Sequence, residues 1–162
     1  MKKLPLKPGD KEKRANVDTV RSILEAKGHD VLSISPEATV YEAIADMARL
    51  RVGALMVVSG RELVGIISER DYARKVILQG RSSRDTTVQQ IMTPSPITVT
   101  SAQTVDDCLR IVIEKRIRHL PVVDSGELKG LVSIGDLVKT VISSQAHTID
   151  QLHTYIEAGY PS

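Results

Sequence analysis

Gly65-Ile66-Ile67-Ser68-Glu69-Arg70-Asp71 is answered 65 residues later by Gly130-Leu131-Val132-Ser133-Ile134-Gly135-Asp136. In each, a short aliphatic run ends at a serine, and an acid follows three residues on. That pattern reads as a strand running into a helix N-terminus. The likeness spreads outward without a gap. Between Thr39–Asp71 and Thr104–Asp136, 11 of 33 positions are identical, among them Arg51/Arg116, Leu55/Leu120, Val57/Val122 and Glu62/Glu127. Unrelated segments of average composition would share about two. Upstream, with a three-residue shift, Thr19-Val20-x-x-Ile23-Leu24 echoes Thr87-Val88-x-x-Ile91-Met92. Two copies are too few for a solenoid, so a closed pseudo-twofold pair is expected.

Each copy predicts the same elements. A short helix (19–27, 87–92) leads into a strand (31–35, 97–100). Thr39 or Thr104 caps a helix with apolar residues at three- and four-residue spacing: Val40, Ala43, Ile44 and Met47, or Val105, Cys108, Leu109 and Val112. Two β-branched strands follow, 54–59 and 63–68 around Gly60-Arg61, and 119–124 and 128–133 around Ser125-Gly126. A final helix starts after Ser68 and after Ser133. The fold class is α/β (α+β), with two pseudo-symmetric β-α-β-β-α repeats packed as one module. The expected divisions are a basic flexible tail (1–18), repeat 1 (19–79), a polar linker (80–86), repeat 2 (87–145), and a C-terminal helix and tail (146–162). Thr148–Ala158 reads as a last helix with Ile149, Leu152, Tyr155 and Ile156 on one face.

Composition narrows the function classes. The 162 residues contain four Tyr and no Trp or Phe. A base-stacking nucleic-acid platform and an aromatic cage for a quaternary amine both need more rings than that. The core is expected to be aliphatic. Net charge is +2, but Lys2, Lys3, Lys7, Lys11, Lys13 and Arg14 stand against only Asp10 and Glu12 in residues 1–14, so the remainder is slightly acidic. A solvated terminus is the favoured reading of that tail over a phosphate- or lipid-binding one. It lacks the apolar run of a signal peptide, and no run approaches the roughly 20 residues of a membrane span. One cysteine, Cys108, allows no intrachain disulfide, which fits a reducing, cytoplasmic setting.

The repeated motif points to a phosphorylated sugar. Backbone N–H groups at the strand-to-helix turn, with the serine hydroxyl, suit an anion. The aspartate in the first turn suits vicinal ribose hydroxyls. Ser-x-x-Asp is also a plain N-cap with a dipole-favoured acid; its recurrence at equivalent turns, with Arg70 in the first, favours binding. Catalysis has little support: there is no Gly-x-Gly-x-x-Gly, Walker loop, His-Glu-x-x-His or Gly-x-Ser-x-Gly, and no metal spacing links His119 to Cys108, His29, His147 or His153. Cys108 reads as a buried inert thiol, and Arg70, Arg74 and Lys75 as a basic helix face. Tyr72 reads as a packing residue.

With Gly65–Asp71, Gly130–Asp136, the phrase Ile117-Arg118-His119-Leu120-Pro121-Val122-Val123-Asp124 and the paired Thr-Val helix starts, residues 19–142 resemble a tandem pair of CBS domains, a Bateman module. The chain is similar to small stand-alone bacterial CBS-pair proteins. The resemblance covers about three quarters of the chain and leaves no room for an attached enzyme. It implies a disc-like homodimer that senses and regulates rather than catalyses, with no catalytic cofactor and no metal. It also implies two clefts for adenosine-containing ligands: AMP, ADP, ATP, S-adenosylmethionine or NAD(H).

By matching position, a first cleft combines Ser68, Arg70 and Asp71 with Pro96, Ile97 and Thr98, and with Ile117, Arg118, His119 and Pro121. Asp71 would hold ribose. Ser68, Arg70, Arg118 and His119 would hold phosphate. Ile97 and Ile117 would sandwich adenine, with backbone near Thr98 reading its edge. A second cleft combines Ser133, Gly135 and Asp136 with Leu32, Ser33 and Ile34, and with Val52, Gly53, Ala54 and Met56. Gly135 stands in the place of Arg70, and Gly53 and Ala54 in the places of Arg118 and His119, so phosphate binding is expected to be weaker there. The regulated protein partner is unknown, and nucleic acid is not an expected partner. The other reading is a constitutive dimeric scaffold whose cleft motifs are structural remnants.

Overall fold

The computed structural model describes residues 18–157. The first repeat contains α1 (Val20–Lys27), β1 (Ser33–Ile34), α2 (Val40–Leu50), β2 (Ala54–Ser59), β3 (Glu62–Ser68) and the single turn α3 (Glu69–Tyr72). A wider π-helical stretch, Ala73–Ile77, continues α3. The second contains α4 (Val88–Ile91), β4 (Thr93–Pro94), α5 (Val105–Lys115), β5 (His119–Asp124), β6 (Glu127–Ser133) and α6 (Ile134–Glu157). The architecture is the expected α+β one.

Capping chemistry starts the helices where the threonines and serines stand. Thr39 accepts from the Glu42 N–H while Glu42 reaches back to the Thr39 N–H, and Thr104 and Asp107 repeat the exchange. Both of these helices end on an arginine in the left-handed region, Arg51 and Arg116, at φ 57° and 53°. The hairpins β2–β3 and β5–β6 are antiparallel and share a bulge, at Val57/Val58 and at Val122/Val123.

The leading helices are exchanged between the repeats. Val20, Ile23 and Leu24 of α1 join the core of Val105, Cys108, Val112, Leu120, Val122, Val132 and Leu137. Val88 and Ile91 of α4 join the core of Val40, Ala43, Met47, Leu55, Val57 and Ile67. The helix starts meet in antiparallel pairs, Thr19 with Thr104 and Thr39 with Thr87. The Val20 N–H donates to Gln103 O, and the Val88 N–H to Ala38 O. The motif glycines serve this exchange. A Cβ on Gly130 would come within 2.9 Å of Leu24 Cδ2, and one on Gly65 within 2.9 Å of Thr93 O.

Three elements depart from expectation. The strand expected at 97–100 is reduced to a single parallel bridge, Val99 to Val122. In the first repeat Met56 N–H donates to Leu32 O; its counterpart Pro121 has no N–H, so that rung is lost. Instead Thr93–Pro94 pairs with β3, Pro94 opposite Gly65, and completes a sheet of order β1-β2-β3-β4. The helix after Ser68 is not uniform but widens after one turn, with Leu78 N–H donating to Ala73 O. The helix expected at Thr148–Ala158 is, through Glu157, the end of α6. Ala158, the tail before Asp18 and the side chains of Ile149, Leu152, Tyr155 and Ile156 lie outside the described residues.

Side chains alternate along a strand. Leu55 and Val57 point into the first core, so Ala54 and Met56 point to the opposite face, where both are buried. Pro121 is likewise buried on the face of β5 opposite Leu120 and Val122. The two sheets therefore cover each other across the pseudo-twofold axis.

Candidate functional site: two carboxylates at the repeat junction

Each motif aspartate is built into a helix start. The Ser68 N–H and hydroxyl both donate to Asp71 Oδ2, at 3.0 Å each, and the Asp71 N–H donates to Ser68 Oγ. In the second repeat the Ser133 N–H donates to Asp136 Oδ2 at 2.9 Å, and the Asp136 N–H to Ser133 Oγ. The Glu69 N–H donates to Gly53 O, and the equivalent Ile134 N–H to Arg118 O. Protein oxygens thus hold two of the three leading N–H groups at each turn, and the plain-cap reading is realised in both. Capping fixes the carboxylates at the junction; it does not exhaust their acceptor capacity.

Each carboxylate also meets a lysine. Lys75 Nζ lies 3.1 Å from Asp71 Oδ1 and donates to Ile91 O at 2.9 Å. Lys27 Nζ lies 2.7 Å from Asp136 Oδ2 and donates to Leu131 O at 2.7 Å. Burial raises the Asp136 carboxyl, but the hydrogen bonds from Lys27 and Ser133 outweigh it and hold the group below the usual carboxylate range. The sequence reading placed Lys75 on a basic face and did not single out Lys27. Exchange of α1 brings Lys27 to Asp136 across 109 residues of chain, and no local spacing signals that.

Cations gather around the first carboxylate. Arg118, and after it Arg74, press the Arg70 guanidinium below its usual pKa by like-charge repulsion. Burial first, then the Lys27 ammonium, lower the His119 imidazole; Asp136 and Asp71 pull it the other way. His119 therefore sits within electrostatic reach of both carboxylates. In its own sheet it stands opposite Ser133, as Ala54 stands opposite Ser68. A Cβ on Gly53 would lie 3.9 Å from His119 Nε2, so the residues facing the two clefts abut at the axis.

Arg70 stands beside Asp71 and feels the Arg118 guanidinium, while His119 feels Asp136 ahead of Asp71. Ile117 packs partly against the second core, and Ile97 is exposed. Pro96 and Thr98 line a groove of about 360 Å³ at the hairpin ends, with Arg61, Leu63, Val123 and Leu128. The Ser95 N–H donates to Val64 O, which sets Pro96 beside the Leu63 end of β3. Ser68 is at the other end, roughly 17 Å along the strand. Among the described residues no hydrogen bond joins Pro96, Ile97 or Thr98 to Asp71.

For the second cleft, β1–β2 pairing sets Ser33 beside Met56, with Leu32 one residue before it, and Ile34 beside Val57. The side chains of Ile34, Ala54 and Met56 are buried, and Val52 packs partly against the first core. Ser133, Gly135 and Asp136 stand at the start of α6. Asp136 also opens onto a groove of about 550 Å³ between α1 and α6, with Ser22, Ile23, Lys27, Lys139 and Thr140. Lys139 lies on this groove, while the Lys27 charge is paired with Asp136, and Gly135, Gly53 and Ala54 add none. Among the described residues no cluster of His, Cys, Asp or Glu could hold a metal. No described helix is long and apolar enough to cross a membrane.

Comparison with known proteins agrees with this architecture. The CBS domain model matches residues 20–77 and 88–143. A CBS domain-containing mitochondrial protein of Arabidopsis thaliana is 40% identical over 151 residues, covering 88% of this chain and 73% of the relative. Other relatives from that plant are longer, and the match spans 22% to 26% of their length. A solved CBS-domain protein from Burkholderia ambifaria MC40-6 is 49% identical with a TM-score of 0.76, covering 78% of this chain and 96% of that one. A CBS domain protein from Pyrobaculum aerophilum, complexed with AMP, is 29% identical with a TM-score of 0.66, covering 73% of this chain and 88% of that one. This chain belongs to the CBS domain family and carries two copies of the domain.

Proposed function

We propose that the protein is a regulatory module that senses an adenine nucleotide at the junction of its two CBS repeats. The nearness of Arg118 to Arg70, next to Asp71, carries the reading, with His119 in electrostatic reach of both carboxylates. A carboxylate that accepts ribose hydroxyls stands there beside two guanidinium groups and an imidazole that can meet a phosphate. AMP, ADP, ATP and NAD(H) are the ligands of this chemistry, and the AMP complex of the Pyrobaculum relative supports the class. The first cleft is the phosphate site; the second, at Asp136, takes a less charged adenosyl group. The protein acts without catalysis or a catalytic cofactor, in a reducing compartment such as the cytoplasm, and the signal passes to a regulated protein through a change of conformation or dimer arrangement.

The dimer part of the reading has its own support. Ile134, Val138 and Ile142 form an exposed stripe at four-residue spacing on α6, and Ile77, the repeat counterpart of Ile142, is exposed with Leu78 beside the first repeat's helix. A second copy offers the same two faces, which suits a closed isologous pair. Sedimentation of wild type against I142E tests it: a dimer that the variant reduces to monomer supports the interface, and a monomeric wild type refutes it.

A constitutive scaffold is the second reading, favoured by the fact that both aspartates are already capped and lysine-paired without ligand. Melting curves with AMP, ADP, ATP, NAD(H) and S-adenosylmethionine separate the two. A ligand selective for the native state raises the melting temperature; a scaffold without a ligand leaves it unmoved by the whole panel.

A further inference from the structure

The two aspartates are equivalent in the repeat, yet the lysines that meet them are not. Lys75 follows Asp71 by four residues in the π-helical stretch, and its counterpart in the second repeat is Thr140. Lys27 comes from the exchanged α1, and its counterpart before the second repeat is Ser95. The contacts also differ. In the second cleft Lys27 Nζ and the Ser133 N–H both converge on Oδ2 of Asp136, and the Ser133 hydroxyl also bonds the carboxylate. In the first cleft the Ser68 cap takes Oδ2 of Asp71 and Lys75 takes Oδ1. Both oxygens of Asp71 are engaged before any ligand arrives, and its side chain is only 14% exposed.

A neutral diol must therefore compete at Asp71 with an ammonium. The ion pair with the half-exposed ammonium opposes the diol, and the balance moves toward the diol when the ammonium gains another anion. The ligand itself can bring that anion. Lys75 is 45% exposed on a flexible stem, and Arg70 and Arg74 lie close by in the same helical segment. At Asp136 the lysine shares Oδ2 with the Ser133 N–H, so a diol that reaches Oδ1 does not have to displace it.

We infer that Lys75 is a specificity-determining residue of the first cleft: it occupies the ribose-accepting carboxylate until an anionic group on the ligand draws it away. The cleft then takes a phosphorylated nucleoside and discriminates against the same nucleoside without phosphate, while the second cleft tolerates the neutral one. The inference rests on the reading of Asp71 as a ribose acceptor.

Calorimetric titration of AMP and adenosine into the full chain tests it, with D136N silencing the second cleft. In D136N, AMP is expected to bind at least about tenfold more tightly than adenosine, the scale of one strong polar contact. In D136N/K75M, which keeps the aliphatic stem, adenosine is expected to tighten and the ratio to fall by about threefold or more, the remainder being the phosphate contacts of Arg70, Arg118 and His119. K75R, which keeps the charge, should leave the ratio at its original value. An unchanged ratio in D136N/K75M, or a loss of both ligands by that folded variant, overturns the role of Lys75 and leaves the AMP site of D136N standing. A folded D136N that binds neither ligand overturns the nucleotide reading of the first cleft and this inference with it. If K75M does not fold, as judged by its melting curve, K75Q is read in the same way.

Discussion

Gly65 lies so close to Thr93 that a β-carbon on it would stand 2.9 Å from the Thr93 carbonyl oxygen. The motif glycine is therefore the seat on which the chain crosses from the first repeat to the second. Gly65→Ala must move backbone, and also meets Met92 Sδ. It is expected to destabilise the fold by about 1–3 kcal/mol, the usual cost of overpacking. At Gly130 the near atom is only the end of the Leu24 side chain, so Gly130→Ala should cost less. Urea unfolding of the two variants checks the order; equal losses would mean that the crossing segment yields as easily as a side chain.

Acid should weaken the fold through His119 before it reaches the carboxylates. Burial, with Lys27 next, lowers the His119 pKa below the ordinary 6.5. As pH falls through 6.5 the unfolded chain takes up a proton that the folded chain refuses, so stability declines until the folded pKa is passed. Asp136 adds its own loss further down, as pH falls from the ordinary carboxyl pKa of 3.8 through its lowered folded value. His119→Asn is expected to flatten the slope of unfolding free energy between about pH 7 and pH 5, leaving the loss at lower pH. A slope identical to wild type would remove His119 from the account.

Cys108 should be inert while the protein is folded. It is fully buried in the second core, and burial, with Asp107 second, pushes its thiol up to about 11. At pH 8 its thiolate fraction is then roughly a hundredfold below that of a free cysteine. A thiol reagent is expected to label the chain only at the rate of unfolding, and completely in denaturant. Rapid native labelling would place the sulfur at the surface.

The left-handed ends of α2 and α5 offer a gain. Arg51 and Arg116 adopt φ values that glycine holds without strain. Arg51→Gly and Arg116→Gly should each raise stability by about 0.5–1 kcal/mol. A clear loss in thermal unfolding would show that the arginine side chains make up for the backbone strain.

Much of this was legible in the residues. Thr39, Thr104, Ser68 and Ser133 announced the helix starts because a side-chain oxygen three residues before an acid satisfies the first turn locally. Gly60-Arg61 and Ser125-Gly126 announced the hairpins. What escaped was long-range. The two cores are built from matching aliphatic positions, so the amphipathic pattern of Val20, Ile23 and Leu24 fits either, and only the structure shows that α1 joins the second. With that exchange hidden, so was the meeting of Lys27 with Asp136. Thr93-Pro94 is only two residues long and half proline, yet it pairs with β3 because Gly65 leaves room for it. The widening of the helix at Ala73–Ile77, which sets Lys75 between Asp71 and Ile91, has no local marker. At the site, the paired turns of Ser68 with Asp71 and Ser133 with Asp136 were readable from the repeat, whereas the single bridge left of the 97–100 strand follows from Pro121, which has no N–H to give.

The central claim is that the first junction carboxylate, among its cations, holds a nucleotide. Calorimetric titration of AMP into wild type, Asp71→Ala and Asp136→Ala tests it most directly. The account predicts saturable binding to wild type that Asp71→Ala abolishes, or weakens by about a hundredfold, and that Asp136→Ala leaves largely in place. Binding abolished by Asp136→Ala and untouched by Asp71→Ala would contradict it, as would a wild type that takes up no AMP at all.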